Sequence, residues 1–244
     1  LLENNVKLSN YKTFDSHECL TDNFDYLISI GGDGTILRAA TFVRDSNLPI
    51  IGINAGRLGF LATVQEENIE NLLNRVLVND FIISKRTLVS LNAHPENPDL
   101  EDINFALNEI TVSRKDTTSM ITIETYINNE YLNSYWADGL IISTPTGSTG
   151  YSLSCGGPVI MPTSNCFVIT PIAPHNLTAR PLIIPDDSEL TLRIKGREDQ
   201  YLVSLDSRMT SVFNETALTV KKTDFFILII EFPEEGFLRT IRKK

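Results

Sequence analysis

Cysteine and histidine are scarce in this chain of 244 residues, with three of each. Cys19, Cys155 and Cys166 are too scattered for a zinc motif, and their odd number fits a reducing, cytoplasmic setting better than a disulfide framework. No apolar run reaches bilayer-spanning length; the longest, Phe225 to Ile230, is strand-sized. The first residues are polar and mixed, unlike a secretory signal. Positive charge is also short, with 21 Lys and Arg against 31 Asp and Glu and a net charge of −10. That balance argues against sequence-independent binding of nucleic acid or membrane, both of which need a basic surface. An anionic ligand therefore needs positive potential gathered locally. The short basic tail, Arg239 and Arg242 to Lys244, reads as a solvated end.

What the chain does have is a strand running into a glycine-rich turn. Leu27 to Ile30 is apolar, and Gly31-Gly32-Asp33-Gly34-Thr35 follows it. Glycines let backbone amides approach a polyphosphate, and a helix start adds partial positive charge there. A carboxylate repels phosphate, so Asp33 points to metal binding, proton acceptance or a hydroxyl contact. The turn has no Lys-Ser/Thr pair and lacks the Rossmann spacing, so neither familiar phosphate loop applies. The plainer alternative is a tight turn whose Asp is stabilised by the helix start.

Periodicity organises the rest. Phe24–Ile30 reads as a buried strand, Thr35–Arg44 as a helix, and Pro49–Ile53 as a second buried strand. A loop containing Gly56 and Gly59 precedes a helix over Glu66–Val78 with Leu72, Leu73 and Val76 on one face. Strand, helix, strand, helix predicts an α/β N-terminal domain with a parallel sheet. From about Phe81, short runs rich in β-branched and aromatic residues predict a β-rich, sandwich-like C-terminal domain. They include Ala106–Val112, Met120–Ile127, Tyr131–Trp136, Glu189–Lys195, Tyr201–Leu205 and Ala217–Val220. Asn128-Asn129 is a hairpin signal between two of them. The expected boundaries are 1–85, 86–222 and a segment 223–244 whose run Phe225–Phe232 returns to the first domain. Only about two dozen residues precede Phe24, so either the domain is small or a leading βα unit is expected to be missing.

A second glycine cluster lies at Asp138–Tyr151 and continues to Ser154, Gly156 and Gly157. Its hydroxyls and small residues suit a ribose, an amide or an adenine edge, and Tyr151 offers a stacking face. The alternative is a long, solvated Ser/Thr loop.

Taken in order, Gly31–Thr35, Asn108-Glu109 and Asp138–Tyr151, with its Thr-Pro-Thr-Gly-Ser-Thr segment, resemble the NAD kinases. Asn54–Leu61 also looks like that family's loop after the second strand, and the likeness runs from about Asp25 to near the C-terminus. The resemblance implies transfer of the ATP γ-phosphate to the 2′-hydroxyl of the adenosine ribose of NAD, giving NADP, with a divalent cation such as Mg²⁺. It makes Asp33 the proton acceptor. Gly34, Asn108, Glu109 and Asp138 match NAD-holding positions, and Thr149, Gly150, Tyr151, Ser152, Leu153 and Ser154 match the adenine and ribose loop. Ala173 matches a neighbouring contact, Arg38 a basic position near the phosphates, and Phe60 a residue beside the adenine. No metal ligands are identified. A homo-oligomer, dimer or tetramer, in which a neighbouring subunit completes the NAD site, is also implied.

The sequence departs from the family pattern at three places. Gly150 stands where Ala is usual, Trp136 where a basic residue is common, and Arg208 where many bacterial members have Gln. Arg208 is thereby expected to add a cation near the ligand. Two rival functions remain open at this stage: a lipid or diacylglycerol-type kinase sharing the Gly-Gly-Asp-Gly-Thr turn, and an inactive NADP(H)-binding sensor.

Overall fold

The apolar stretch after Tyr26 extends as β1 (Leu27–Gly31), and Gly32 turns the chain directly into α1 (Asp33–Val43). The helix thus begins at Asp33, two residues earlier than its periodicity predicts. A computed structural model describes residues 13–14, 16–20, 24–115 and 119–243. Most of the polar lead and the final Lys244 lie outside the described residues.

β2 (Ile50–Asn54) pairs in parallel with β1 and with the short β3 (Val64–Gln65). All five residues of β2 are buried because both faces are covered. Ile50 packs with Ile36 and Ala40 of α1, while Ile51 and Ile53 pack with Leu72 and Val76 of α2 (Ile69–Leu77). A continuous apolar run is what such a doubly covered strand requires. A single 3₁₀ turn, Glu66–Asn68, occupies the start of the helix expected from Glu66.

Beyond α2 the chain enters β4 (Ile82–His94), a 13-residue strand, then the brief β5 (Phe105–Ala106) and β6 (Glu109–Arg114). β7 (Ile121–Ile127) and β8 (Glu130–Ala137) form the hairpin expected from Asn128-Asn129. Both asparagines take positive φ, 50° and 67°, the left-handed pair that a tight, twist-matched hairpin turn needs.

β9 (Gly139–Ser143), α3 (Tyr151–Ser154), β10 (Cys166–Ile172) and β11 (Leu182–Pro185) follow. Then come β12 (Leu190–Lys195), β13 (Gln200–Leu205), β14 (Arg208–Phe213), β15 (Ala217–Glu231) and α4 (Phe237–Lys243).

The strands form two sheets. One runs β11-β10-β9-β6-β13-β14, antiparallel throughout; the other runs β1-β2-β15-β12-β7-β8, with β3 on β2 and β4 and β5 attached through β15. The parallel pairing expected of the first layer is present among β1, β2, β3 and β15. Antiparallel β4 makes that sheet mixed. The sandwich core lies between the sheets, around Leu91, Ile110, Phe167, Tyr201 and Leu218.

β15 joins the molecule together. Its first half pairs with β12 and contributes Leu218 and Val220 to the sandwich, whereas Ile227 and Ile229 enter the core under α1. Ala217–Val220 and Phe225–Phe232, separate in the sequence reading, are largely one strand with an irregularity between Lys222 and Phe226.

Candidate active site

Asp33 opens α1 but does not cap its own helix. Its Oδ2 accepts from Phe60 N at 2.8 Å, and its Oδ1 accepts from Leu61 N and Ala62 N, each at 3.0 Å. A carboxylate has about four lone-pair positions. Three are filled by backbone donors from one distant loop, which fixes the group and leaves an acceptor position on Oδ2. The loop can approach because residue 59 is glycine: a Cβ there would lie 1.9 Å from Asp33 Oδ1. Asn54, at the end of β2, shapes the same loop by donating to Arg57 O and Ala62 O and accepting from Gly56 N. The helix-start explanation of Asp33 therefore gives way to a longer-range one. The Phe60 ring packs on Phe237 of α4, with centroids 5.7 Å apart.

Beside this turn, a cavity of about 410 Å³ separates α1 from the β13–β14 turn. Gly34, Leu37, Arg38, Thr41, Asp206 and Arg208 line it. Two of these are cations, in a chain that carries few. Arg38 is exposed and lies over the Phe42 ring, 5.9 Å from its centroid. Arg208 is half-buried; it donates to Ile103 O at 2.8 Å and to Phe105 O, and burial pulls its pKa down.

Asp206, in the same turn, takes positive φ (54°). Its Oδ1 accepts from Asn108 N (2.8 Å) and Glu109 N (3.3 Å), and its Oδ2 accepts from Leu107 N (3.0 Å). The Asn-Glu pair is thereby anchored to the cavity wall. Burial, with the Asp206 charge beside it, pushes Glu109 up to about 7 against the opposing Tyr151 backbone N–H. Glu109 Oε2 is buried without a hydrogen-bond partner among the described residues.

The second glycine cluster closes on the same pair. Thr144 Oγ1 donates to Leu107 O and accepts from Gly147 N, and Thr144 N donates to Asn108 O. A Cβ on Gly150 would meet Glu109 Oε2 at 3.0 Å and Asn108 Nδ2 at 3.6 Å. Absence of that methyl group keeps room at the carboxyl.

The solvated-loop alternative fails here, because Ser143, Thr144, Thr146 and Ser148 are all buried. Nor are these hydroxyls held out to a ligand. Ser148 Oγ donates to Pro145 O and accepts from Ile160 N, while Thr149 Oγ1 donates to Thr146 O. Ser152, fully buried, bonds to Thr170. Tyr151, Leu153 and Ser154 are exposed on α3, and burial of its ring side raises the Tyr151 phenol.

Asp138 continues the site from Tyr151. Its carboxylate pairs with Arg114 at 3.0 Å, and its N–H donates to Ile172 O, next to Ala173. Ala173 is exposed and takes positive φ (44°). Trp136 stacks near His175, with ring centroids 4.3 Å apart.

A chain of contacts thus joins Gly34, Arg38 and Arg208 through Asp206 to Asn108, Glu109 and Gly150. Ser152 points into the interior. Sequence reasoning passed over Asp206, which looks like an ordinary hairpin-turn residue, and over the amides of Leu61 and Ala62, which carry no side-chain signal.

An α/β layer with this turn, fused to an antiparallel sandwich, defines the class. Two family models match: the ATP-NAD kinase N-terminal domain over residues 3–81 and the ATP-NAD kinase C-terminal domain over residues 107–231. The NAD kinase of Flavobacterium psychrophilum is 66% identical over 244 residues, covering all of this chain and 83% of the relative. That of Cytophaga hutchinsonii is 46% identical with the same coverage. Among solved structures, yeast NADH kinase complexed with NADH gives a TM-score of 0.82 at 27% identity, over 90% of this chain and 65% of that one. An NAD kinase from Archaeoglobus fulgidus in complex with ATP gives 0.80 at 29% identity, over 94% and 86%.

The chain belongs to the NAD kinase family. Its activity is that of an NAD kinase. The lipid-kinase and inactive-sensor readings are not favoured.

Proposed function

We propose that Asp33 is the proton acceptor in transfer of the ATP γ-phosphoryl group to the 2′-hydroxyl of the adenosine ribose of NAD. The observation that carries this is the Asp33 carboxylate, fixed by three backbone amides with one acceptor position of Oδ2 unfilled, at the turn whose next residue, Gly34, lines a cavity with Arg38 and Arg208. In the step, the hydroxyl oxygen bonds to the γ-phosphorus as its proton passes to Asp33 Oδ2. The bond to the bridging oxygen breaks, and ADP leaves with that electron pair. Arg38 and Arg208 supply positive potential for the phosphates, since phosphoryl transfer depends chiefly on positioning and electrostatics. Gly34, Asn108, Glu109, Asp138 and Ala173, with Thr149, Gly150, Tyr151, Leu153 and Ser154, form the NAD side, and Ser152 supports that segment from the interior.

Among the described residues, no group of three or more His, Cys, Asp or Glu side chains is placed to hold a metal ion. The described residues therefore do not build a protein cage for a metal. The divalent cation is proposed to arrive on the ATP phosphates, where such ions commonly keep several waters.

The reading includes a cytoplasmic homo-oligomer. Among the described residues, no helix is long and apolar enough to cross a membrane. Incubation of the purified protein with NAD, ATP and Mg²⁺, followed by chromatography, is expected to yield NADP and ADP in equal amounts. Absence of NADP under saturating substrates would refute the reading.

A further inference from the structure

Two acids meet where the sandwich faces α1, and they are built differently. Asp206 receives three amide hydrogens, from Leu107, Asn108 and Glu109, and has the Arg208 guanidinium next to it. Glu109 is 9% exposed, and its Oε2 has no hydrogen-bond partner among the described residues. Three amide donors and a neighbouring cation favour the ionised form of a carboxyl group, whereas burial with one oxygen unpartnered and only the Tyr151 backbone N–H opposing it favours the neutral form of Glu109. Burial raises Asp206 too, but its amide donors and Arg208 oppose that rise. Glu109 is buried and Asp206 partly buried, and two acids whose charges interact titrate as a coupled pair. Here the negative charge belongs on Asp206 and the proton on Glu109.

The backbone supports the same division. Asp206 N donates to Glu109 O at 3.0 Å, so the turn grips the Asn108–Glu109 segment through both its main chain and its side chain. The positive φ of Asp206 lets one residue make both contacts.

We propose that Asp206 is a positioning residue for the Asn108–Glu109 site, holding three successive amides and, as the ionised member of an acid pair, keeping Glu109 the one that bears the proton. The proposal rests on the reading of Glu109 as part of the NAD site. Asp206 acts through Glu109 and Asn108 rather than on the reacting atoms. The other groups around Glu109 are Arg208, beyond Asp206 on β14, and Tyr151 of α3, whose phenol has Cys155 and Asp138 beside it.

The test follows the glutamate side-chain carboxyls by carbon-13 NMR in the full chain, with the Glu109 signal assigned by its loss in Glu109→Gln. In the parent, Glu109 is expected to titrate near 7. In Asp206→Asn, which removes the charge, the midpoint is expected to fall by about one pH unit. The KM for NAD should rise on the order of tenfold while kcat changes much less, the pattern of lost binding rather than lost chemistry. Asp206→Glu retains the charge and keeps the test usable if Asp206→Asn does not fold: there Glu109 must stay raised while KM increases. An unmoved Glu109 midpoint in Asp206→Asn, or a lowered one in Asp206→Glu, would overturn the proposal. So would a fall in kcat at unchanged KM in either variant. If the parent makes no NADP, the NAD-site reading fails on its own, and the NMR titration still decides the link between Asp206 and Glu109.

Discussion

The two glycine-rich segments look alike in sequence and are used in opposite ways. At Gly31–Thr35 the backbone of a distant loop serves a side chain, because three amides hold the Asp33 carboxylate and leave an acceptor position open. At Thr144–Tyr151 side chains serve the backbone. The buried hydroxyls of Thr144 and Ser148 bind carbonyls and amides of Leu107, Pro145, Gly147 and Ile160. Richness in Ser and Thr therefore marks a rigid wall here, not a row of ligand contacts. The first segment is proposed to supply chemistry, whereas the buried hydroxyls of the second supply shape.

Substitutions should separate the two roles. The largest effect is expected from Asp33→Asn, which keeps much of the hydrogen bonding and loses the base. Removing a general base typically costs about 10²–10⁴-fold in rate. Steady-state kinetics should find kcat down by that order with NAD affinity within a few-fold; unchanged turnover would remove Asp33 from the chemistry.

Gly59→Ala should come next. The added methyl group would sit 1.9 Å from Asp33 Oδ1, so carboxylate or loop must move. A shift of about 1 Å at a reacting group can cost on the order of 10²-fold. The measurement is kcat on protein whose fold is checked by circular dichroism, and parent-like turnover would contradict the account of this loop.

Ser148→Ala probes the second segment. It removes both the hydrogen bond to Pro145 O and the acceptor for Ile160 N in a fully buried site. Leaving such groups unpaired costs about 1–3 kcal/mol each. Chemical denaturation should register that loss, with kcat changed far less than in Gly59→Ala. Equal damage to turnover would erase the contrast between the segments.

Tyr151→Ala should have the smallest effect. The ring is exposed on α3 and available for stacking on a base. Losing an aromatic contact costs about 0.5–1.5 kcal/mol. Calorimetry should find a several-fold weaker NAD affinity with little change in kcat, because stacking acts on ground and transition states alike. Equal affinity would remove the stacking role.

Much of this contrast was legible in the sequence. The strand-turn-helix around Asp33, the doubly buried β2 and the Asn128-Asn129 hairpin all follow local rules of periodicity and turn chemistry. β4 was not legible, because Lys85 and Arg86 interrupt its apolar pattern; Arg86 is buried by pairing with Glu231 and by donating to Thr146. β9 was hidden inside the glycine cluster, where Leu140–Ile142 read as part of a loop. Asp206 was illegible for a different reason. Its partners are nearly a hundred positions upstream, at Leu107 to Glu109, and only the fold brings them into reach.

In the proposed complex the open side of Asp33 faces the 2′ position of the ribose. NADP carries a phosphate there, and two unit charges about 4 Å apart repel by roughly 4 kcal/mol at an effective dielectric of 20. Arg38 and Arg208, which line the cavity beside Gly34, are expected to offset part of that repulsion. Calorimetric titrations of NAD and NADP into the parent and into Asp33→Asn, at one pH and salt concentration, test the placement directly. The expected result is that Asp33→Asn tightens NADP more than it tightens NAD. An NADP affinity that stays unchanged or weakens relative to NAD would contradict it.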